Sequence, residues 1–183
     1  ERLEHGTSLE DVAGVVFRHK GKIISNPPRP LVEALDTLPF PTRDLLGDAA
    51  RYIPPPGTYR RKPVATLITS RGCSRRCLFC FQIDKERKSG VRGVRYRSIE
   101  NVLQEIELLL AQGYQEIKFL DDTLASDYAR AMELTRQIKA RGLRFSWFAS
   151  ACANQVDPPL LQAFREAGCW AILIGAESGV QKN

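Results

Sequence analysis

The chain has 183 residues, 43% hydrophobic and 26% charged, with a formal net charge of +6. That is ordinary for a soluble globular protein with room for one sizeable core and an appendage. No apolar run approaches the ~18 residues of a membrane span, and no charged-then-apolar leader opens the chain.

The chain begins at Glu1, not Met, and is expected to be a piece of something longer. Residues 1–11 are polar. Val12 to Phe17 and Lys22 to Ser25 are short apolar runs around the turn signal His19-Lys20-Gly21, which predicts a small β-hairpin. His5 and His19 lie here, far from the cysteines, and read as surface residues. From Asn26 to Pro63 the character changes, because this stretch holds nine of the eleven prolines. Proline fixes φ and removes a donor, so the stretch reads as an extended linker packed on a neighbour. A short helix is expected around Pro41–Leu46, started by Pro39 and Pro41.

After Pro63 a regular alternation begins. Val64–Thr69 is a predicted strand. Ser98 is the expected N-cap of a helix whose inner face carries Ile99, Val102, Leu103, Ile106, Leu109 and Leu110. Gly113 closes it, and Glu116–Asp121 is the next strand. Asp127 to Arg141 is a second helix, with Ala131, Leu134, Thr135 and Ile138 facing inward. Gly142 ends it before the strand Arg144–Ala149. Asp157 caps a third helix with Pro158 at its first position. There Leu160, Leu161 and Phe164 are expected inside, Gly168 terminates, and Ala171–Ile174 is a fourth strand. Repeated βα units with right-handed crossovers predict four adjacent parallel strands, an α/β fold of the partial (β/α) barrel kind. The expected divisions are 1–25, a Pro-rich linker 26–63, and barrel 64–183.

Three of the five cysteines, Cys73, Cys77 and Cys80, sit in Arg71-Gly-Cys-Ser-Arg-Arg-Cys-Leu-Phe-Cys80, directly after the first barrel strand. An odd count with a cluster argues for ligand chemistry in a reducing compartment, the cytoplasm, rather than a disulfide framework. Soft thiolates select zinc or an iron–sulfur cluster. A structural zinc wants four protein ligands, whereas a four-iron cluster held by three leaves one iron open. The basicity is concentrated here. Between Arg71 and Arg97 nine Lys/Arg face Asp84 and Glu86, a local charge of +7, so the rest of the chain is about −1. This fits an anionic partner such as nucleic acid. With few aromatics nearby, a solvated loop that offsets the thiolates is the favoured reading.

The C-x3-C-x2-C spacing, with Phe79 before its last cysteine, resembles the signature of the radical S-adenosylmethionine (radical SAM) enzymes. The resemblance implies a [4Fe-4S] cluster on Cys73, Cys77 and Cys80, with S-adenosylmethionine (SAM) chelated at the open iron. One-electron reduction would then release a 5′-deoxyadenosyl radical that takes a hydrogen from a small-molecule substrate. It also implies an electron donor such as flavodoxin or ferredoxin, and a six-stranded partial barrel of which about four strands are present here. Weak or no turnover is expected of these residues alone.

The stretch from Asn26-Pro-Pro-Arg-Pro to Leu46 resembles the linker that joins a cobalamin-binding domain to the radical domain in the cobalamin-dependent subgroup. Residues 1–25 would be the remnant of that domain, and a methyltransferase or related oxidoreductase is the implied activity. The D-x-H-x-x-G motif often found in that subgroup is absent, so cobalamin is expected only through a domain outside this chain. Phe119-Leu-Asp-Asp-Thr-Leu124 resembles the F-x-D-D-x-F form of that subgroup. Asp121 and Asp122 would hold the methionine amino group, or cap the second helix. Glu177 in Gly-Ala-Glu-Ser-Gly179 would meet the ribose or methionine part, and Phe79 would pack on adenine. Where relatives often read A-R-x-D, this chain has Ala151-Cys-Ala-Asn154, so a cationic contact to the methionine carboxylate is expected to be missing or supplied from elsewhere. Cys152 and Cys169 read as buried free thiols before reactive ones. The rival readings are a radical methylthiotransferase acting on tRNA and a zinc-stabilised nucleic-acid-binding module.

Overall fold

The computed structural model describes residues 2–47, 49–75, 77–80 and 93–180. Much of the basic stretch, positions 76 and 81–92, lies outside the described residues. The chain divides into two compact units. One contains residues 2–33 with 77–80, the other the described residues of 34–75 and 93–180.

The first unit carries the hairpin β1 (Val16–His19) and β2 (Lys22–Ser25), paired antiparallel with His19 opposite Lys22. Its two-residue turn has positive φ at both Lys20 (46°) and Gly21 (80°), the twist that suits a tight hairpin. Asn26 fastens the exit of β2, donating to the carbonyls of Leu9 at 2.6 Å and Val12 at 2.8 Å. The first strand begins at Val16, later than the apolar run suggests.

The second unit is built on a four-stranded parallel sheet in the order β3 (Val64–Leu67), β6 (Glu116–Phe119), β7 (Ser146–Ser150), β8 (Cys169–Leu173). A short antiparallel ribbon, β4 (Ser70–Arg71) with β5 (Arg95–Tyr96), follows the first strand of the sheet. The helices α1 (Ile99–Ala111), α2 (Tyr128–Ala140) and α3 (Pro158–Glu166) alternate with the strands. Their N-caps are Ser98, Asp127 and Asp157, each accepting a backbone N–H two or three residues into the helix.

Alternate strand residues Ala65, Leu67, Ile117, Phe119, Trp147 and Ala149 join Leu103, Ile106, Leu109, Leu134, Ile138, Leu160 and Phe164 in one buried core. Trp147 is its centre. Its ring meets Phe119 edge-on at 5.3 Å and Phe164 at 5.0 Å, and its indole N–H donates to the Ala167 carbonyl at 2.8 Å. The other face of the sheet carries Thr66, Lys118 and Phe148, with the Lys118 ammonium 5.5 Å from the Phe148 ring. Helices thus pack on one face and leave the other as a lumen, the arrangement of a barrel rather than of an open doubly wound sheet.

Three sequence expectations are adjusted. Leu161 is 41% exposed, because the inner face of α3 is already filled by Leu160 and Phe164. The region Pro41–Leu46 forms only a 3-10 turn, Arg43–Leu46, joined by two others at Leu35–Thr37 and Ala49–Tyr52. The cap of α2 is Asp127, so neither Asp121 nor Asp122 serves that purpose.

Candidate cofactor site

The strand that delivers the cysteine loop is anchored residue by residue. The Leu67 carbonyl turns toward the sheet and accepts the N–H of Leu120 at 2.8 Å. The carbonyls of Thr66 and Ile68 therefore face the free edge. There Arg43 donates to Thr66 at 2.6 Å and Arg97 donates to Ile68 at 2.8 Å. Both guanidinium groups converge on Glu105 of α1, at 2.7 Å and 2.5 Å. This carboxylate is only 2% exposed, and its two partners satisfy it from the linker and from the residue after β5. A buried anion without such partners would be strongly unfavourable. The Arg97 N–H then donates to the Thr69 carbonyl at 2.9 Å, which holds the loop's return beside its start.

At the end of β6, Asp121 is buried and Asp122 exposed. The Asp121 carboxylate accepts the Thr69 hydroxyl at 2.8 Å, the Thr69 N–H at 3.1 Å to each oxygen, and the Ser70 hydroxyl. Beyond β7, the turn Ala153–Gln155 is fixed by Gln155, whose side-chain carbonyl accepts the Cys152 N–H at 3.1 Å and the Thr123 hydroxyl. The Asn154 side chain accepts a hydrogen bond from Arg75 at 2.7 Å, tying the cysteine loop to the end of β7. Beside the loop's return, the Arg130 guanidinium stacks 5.0 Å from the Tyr96 ring. Burial pushes the Tyr96 phenol up and the Arg130 guanidinium down.

Beyond β8, Glu177 is exposed and has φ +60°, a left-handed conformation uncommon for a side-chain-bearing residue. The Ser178 N–H donates to the Ala176 carbonyl at 2.6 Å, closing a three-residue turn centred on Glu177. Its carboxylate folds back over Gly175, where a Cβ would lie 2.2 Å from Oε1. A side chain at position 175 would push that carboxylate away.

Cys73 belongs to the barrel unit and Cys77 and Cys80 to the hairpin unit. Cys73 follows Gly72, whose φ is +100° and where a Cβ would stand 2.6 Å from the Gly93 carbonyl oxygen. Only glycine permits that backbone approach. The Arg75 N–H points at the Cys73 sulfur at 3.4 Å, and the Cys80 N–H donates to the Cys77 carbonyl at 3.0 Å. None of the three cysteines forms a disulfide. Among the described residues no three His, Cys, Asp or Glu side chains form a preassembled metal set. The donor chemistry, three soft sulfurs within eight residues of sequence, fits a soft metal centre. Phe79 is 72% exposed, with no packing in a core. Cys152 is half-buried, and burial pushes the Cys169 thiol up to about 12. Sequence reasoning missed Thr69, Ser70, Arg43, Arg97 and Glu105. The hydroxyl pair directly ahead of the cysteine motif was the available signal.

Comparison with known proteins gives a consistent picture. The chain is 34% identical over 97% of its length to an uncharacterised methyltransferase of Pyrococcus horikoshii, covering 37% of that protein. It is 27% identical over its full length to a cytidylyl-2-hydroxyethylphosphonate methyltransferase of Streptomyces wedmorensis, covering 38% of it. The chain thus spans under two fifths of these relatives. A radical S-adenosylmethionine methyltransferase from Kitasatospora setae, solved with tryptophan and a SAM analogue, superposes with a TM-score of 0.71 at 18% identity. The match covers 99% of this chain and 35% of that one. The cobalamin-dependent S-adenosylmethionine radical enzyme OxsB superposes at 0.70 with 23% identity, over 98% of this chain and 26% of that one. These likenesses show the partial-barrel fold. The profile of the Radical SAM superfamily matches residues 67–182, from the last residue of β3 through all three helices, and this chain belongs to that superfamily.

Proposed function

We propose that the chain is the cluster-bearing part of a radical SAM enzyme, a cobalamin-dependent methyltransferase acting on a small molecule. The observation that carries this reading is the position of the cysteine motif. It begins at the carboxyl end of the first strand of a parallel half-barrel, where this architecture places its ligands. Methyltransferase relatives match nearly the whole chain, which supports the choice of reaction.

In this reading Cys73, Cys77 and Cys80 hold a [4Fe-4S] cluster. With SAM bound, that centre supplies one-electron cleavage of a carbon–sulfur bond. Phe79, exposed on the loop, offers a face for adenine. Asp122, the exposed member of the carboxylate pair, accepts the methionine amino group, while Asp121 stands behind it. Glu177 reaches the ribose or methionine part from the turn beyond β8. The lumen face of the sheet, with Thr66, Lys118 and Phe148, excludes water from the reacting atoms. Cobalamin would be carried by a separate domain, joined through residues 26–63, and the electron would come from a flavodoxin or ferredoxin. No helix among the described residues is long and apolar enough to cross a membrane.

A second reading has one observation behind it. A tRNA-2-methylthio-N(6)-dimethylallyladenosine synthase of Prosthecochloris aestuarii is 31% identical, over 63% of this chain. Its coverage is smaller than that of the methyltransferases. Anaerobic reconstitution tests the proposal. Four irons and four sulfides per chain are expected, with weak SAM-dependent 5′-deoxyadenosine formation under reductant from these residues, and methyl transfer once a cobalamin-bearing domain is supplied. One zinc per chain with no SAM cleavage overturns it. Cleavage with sulfur insertion into tRNA selects the second reading.

A further inference from the structure

The geometry points to Asp121 as a positioning residue for the cluster loop: its carboxylate fixes Thr69 and Ser70 and thereby sets where Cys73 is presented. This rests on the reading above and deepens it. Asp121 is 3% exposed. Burying a carboxylate is unfavourable unless its lone pairs are filled. Here they are filled from a two-residue segment. Thr69 gives its N–H to both oxygens at 3.1 Å and its hydroxyl to Oδ1 at 2.8 Å, and the Ser70 hydroxyl also donates to Oδ1.

The segment so held leads straight into the β4–β5 ribbon that ends two residues before the cysteine. From Ser70 the chain passes through Arg71 and the tightly enclosed Gly72 to Cys73, with Ser70 also paired to Tyr96 in the β4–β5 ribbon. A carboxylate is the group that suits the task. It offers about four lone-pair sites and no donor, whereas an asparagine would turn an NH2 toward the Thr69 donors. An ammonium ligand needs a carboxylate with open acceptor capacity. Asp121 spends its oxygens on Thr69 and Ser70, which leaves it little capacity for such a ligand.

The test uses the full chain, reconstituted anaerobically with iron and sulfide and studied first without SAM and then with it. The readouts are the rate of iron release to a chelator and the EPR spectrum of the reduced cluster, with circular dichroism to check folding. Groups that orient metal ligands are worth roughly 10–100-fold in metal affinity. Asp121→Asn is therefore expected to release iron about tenfold faster and to broaden the EPR signal before any SAM is added. Ser70→Ala, which removes one donor and keeps the carboxylate, is expected to move both in the same direction by about threefold. It decides the matter if Asp121→Asn does not fold. Wild-type iron release and EPR in the folded Asp121→Asn variant, with only the spectral response to SAM lost, would overturn the proposal in favour of direct contact. So would wild-type behaviour of Ser70→Ala. A wild-type chain that takes up zinc and no iron removes the functional reading itself, and this inference with it.

Discussion

Strand β6 has a buried carboxylate at each end, and the two do different things. Glu116, at the amino end, is fully buried and gathers several segments. It accepts the N–H groups of Arg60 and Arg61 at 2.8 and 2.9 Å, the Ser146 hydroxyl at 2.7 Å and the Trp170 indole N–H at 3.1 Å. Asp121, past the carboxyl end, gathers Thr69 and Ser70 among the described residues. One joins linker, β7 and β8 across the bottom of the sheet, and the other fixes a loop at the top. In parallel barrels the bottom face serves stability and the top face serves chemistry. The same side-chain chemistry, placed five residues apart, is divided along that line.

The sharpest way to break the comparison is to remove Glu116. Glu116→Leu strands the buried Ser146 hydroxyl and three part-buried N–H donors, and a loss of about 3 kcal/mol is expected. A denaturant midpoint measures it. In the population that remains folded, iron release should stay at the wild-type rate, the reverse of Asp121→Asn. If both variants move both quantities together, the division between the two ends is wrong.

Glu105 tests the flank of the same loop. Glu105→Gln leaves Arg43 and Arg97 without a charged partner in a mostly buried setting, and about 2 kcal/mol of stability should go. Because the pair also caps the free-edge carbonyls of Thr66 and Ile68, faster iron release should accompany the loss, placing this variant between the other two.

Gly175→Ala should leave the denaturant midpoint within about 0.5 kcal/mol of wild type, as exposed sites usually do. Displacing the Glu177 carboxylate should weaken SAM binding about fivefold, the worth of roughly one hydrogen bond, measurable by calorimetry on the reconstituted protein. Unchanged affinity would remove Glu177 from the cofactor's contacts.

The smallest effect is on pH dependence. Burial raises the Cys169 thiol from 9.0 to about 12. The folded chain keeps this proton while the unfolded chain loses it above about pH 9, so the contribution is fully present below that pH. It declines as pH rises from about 9 toward 12. Cys169→Ser, unable to ionise there, should flatten that alkaline decline in midpoint, and a decline of unchanged slope would assign it to other groups.

How much of this was legible in the sequence depended on how local the signal was. Ser98, Asp127 and Asp157 announced their helices because a cap acts on residues two or three positions away. Gly113, Gly142 and Gly168 ended theirs for a similar reason. The cysteine spacing is local too. Arg43 and Glu105 are 62 positions apart, and nothing in either neighbourhood marks the pair. Asp121 and Asp122 stood out as a doublet, but which would turn inward depends on how Thr69 and Ser70 approach from the neighbouring strand. Leu161 fitted helical spacing and still lies outside, because periodicity gives a stripe and not its width.

The guanidinium groups over Thr66 and Ile68 have a consequence for the chain's behaviour in company. An outer strand with unoccupied carbonyls is a template onto which another polypeptide can add. On β3 those positions are already taken by Arg43 and Arg97, so a stray segment must first displace two cations held by a common anion. The β3 edge is thereby guarded against self-association, and a strand added to the sheet meets less resistance beside β8.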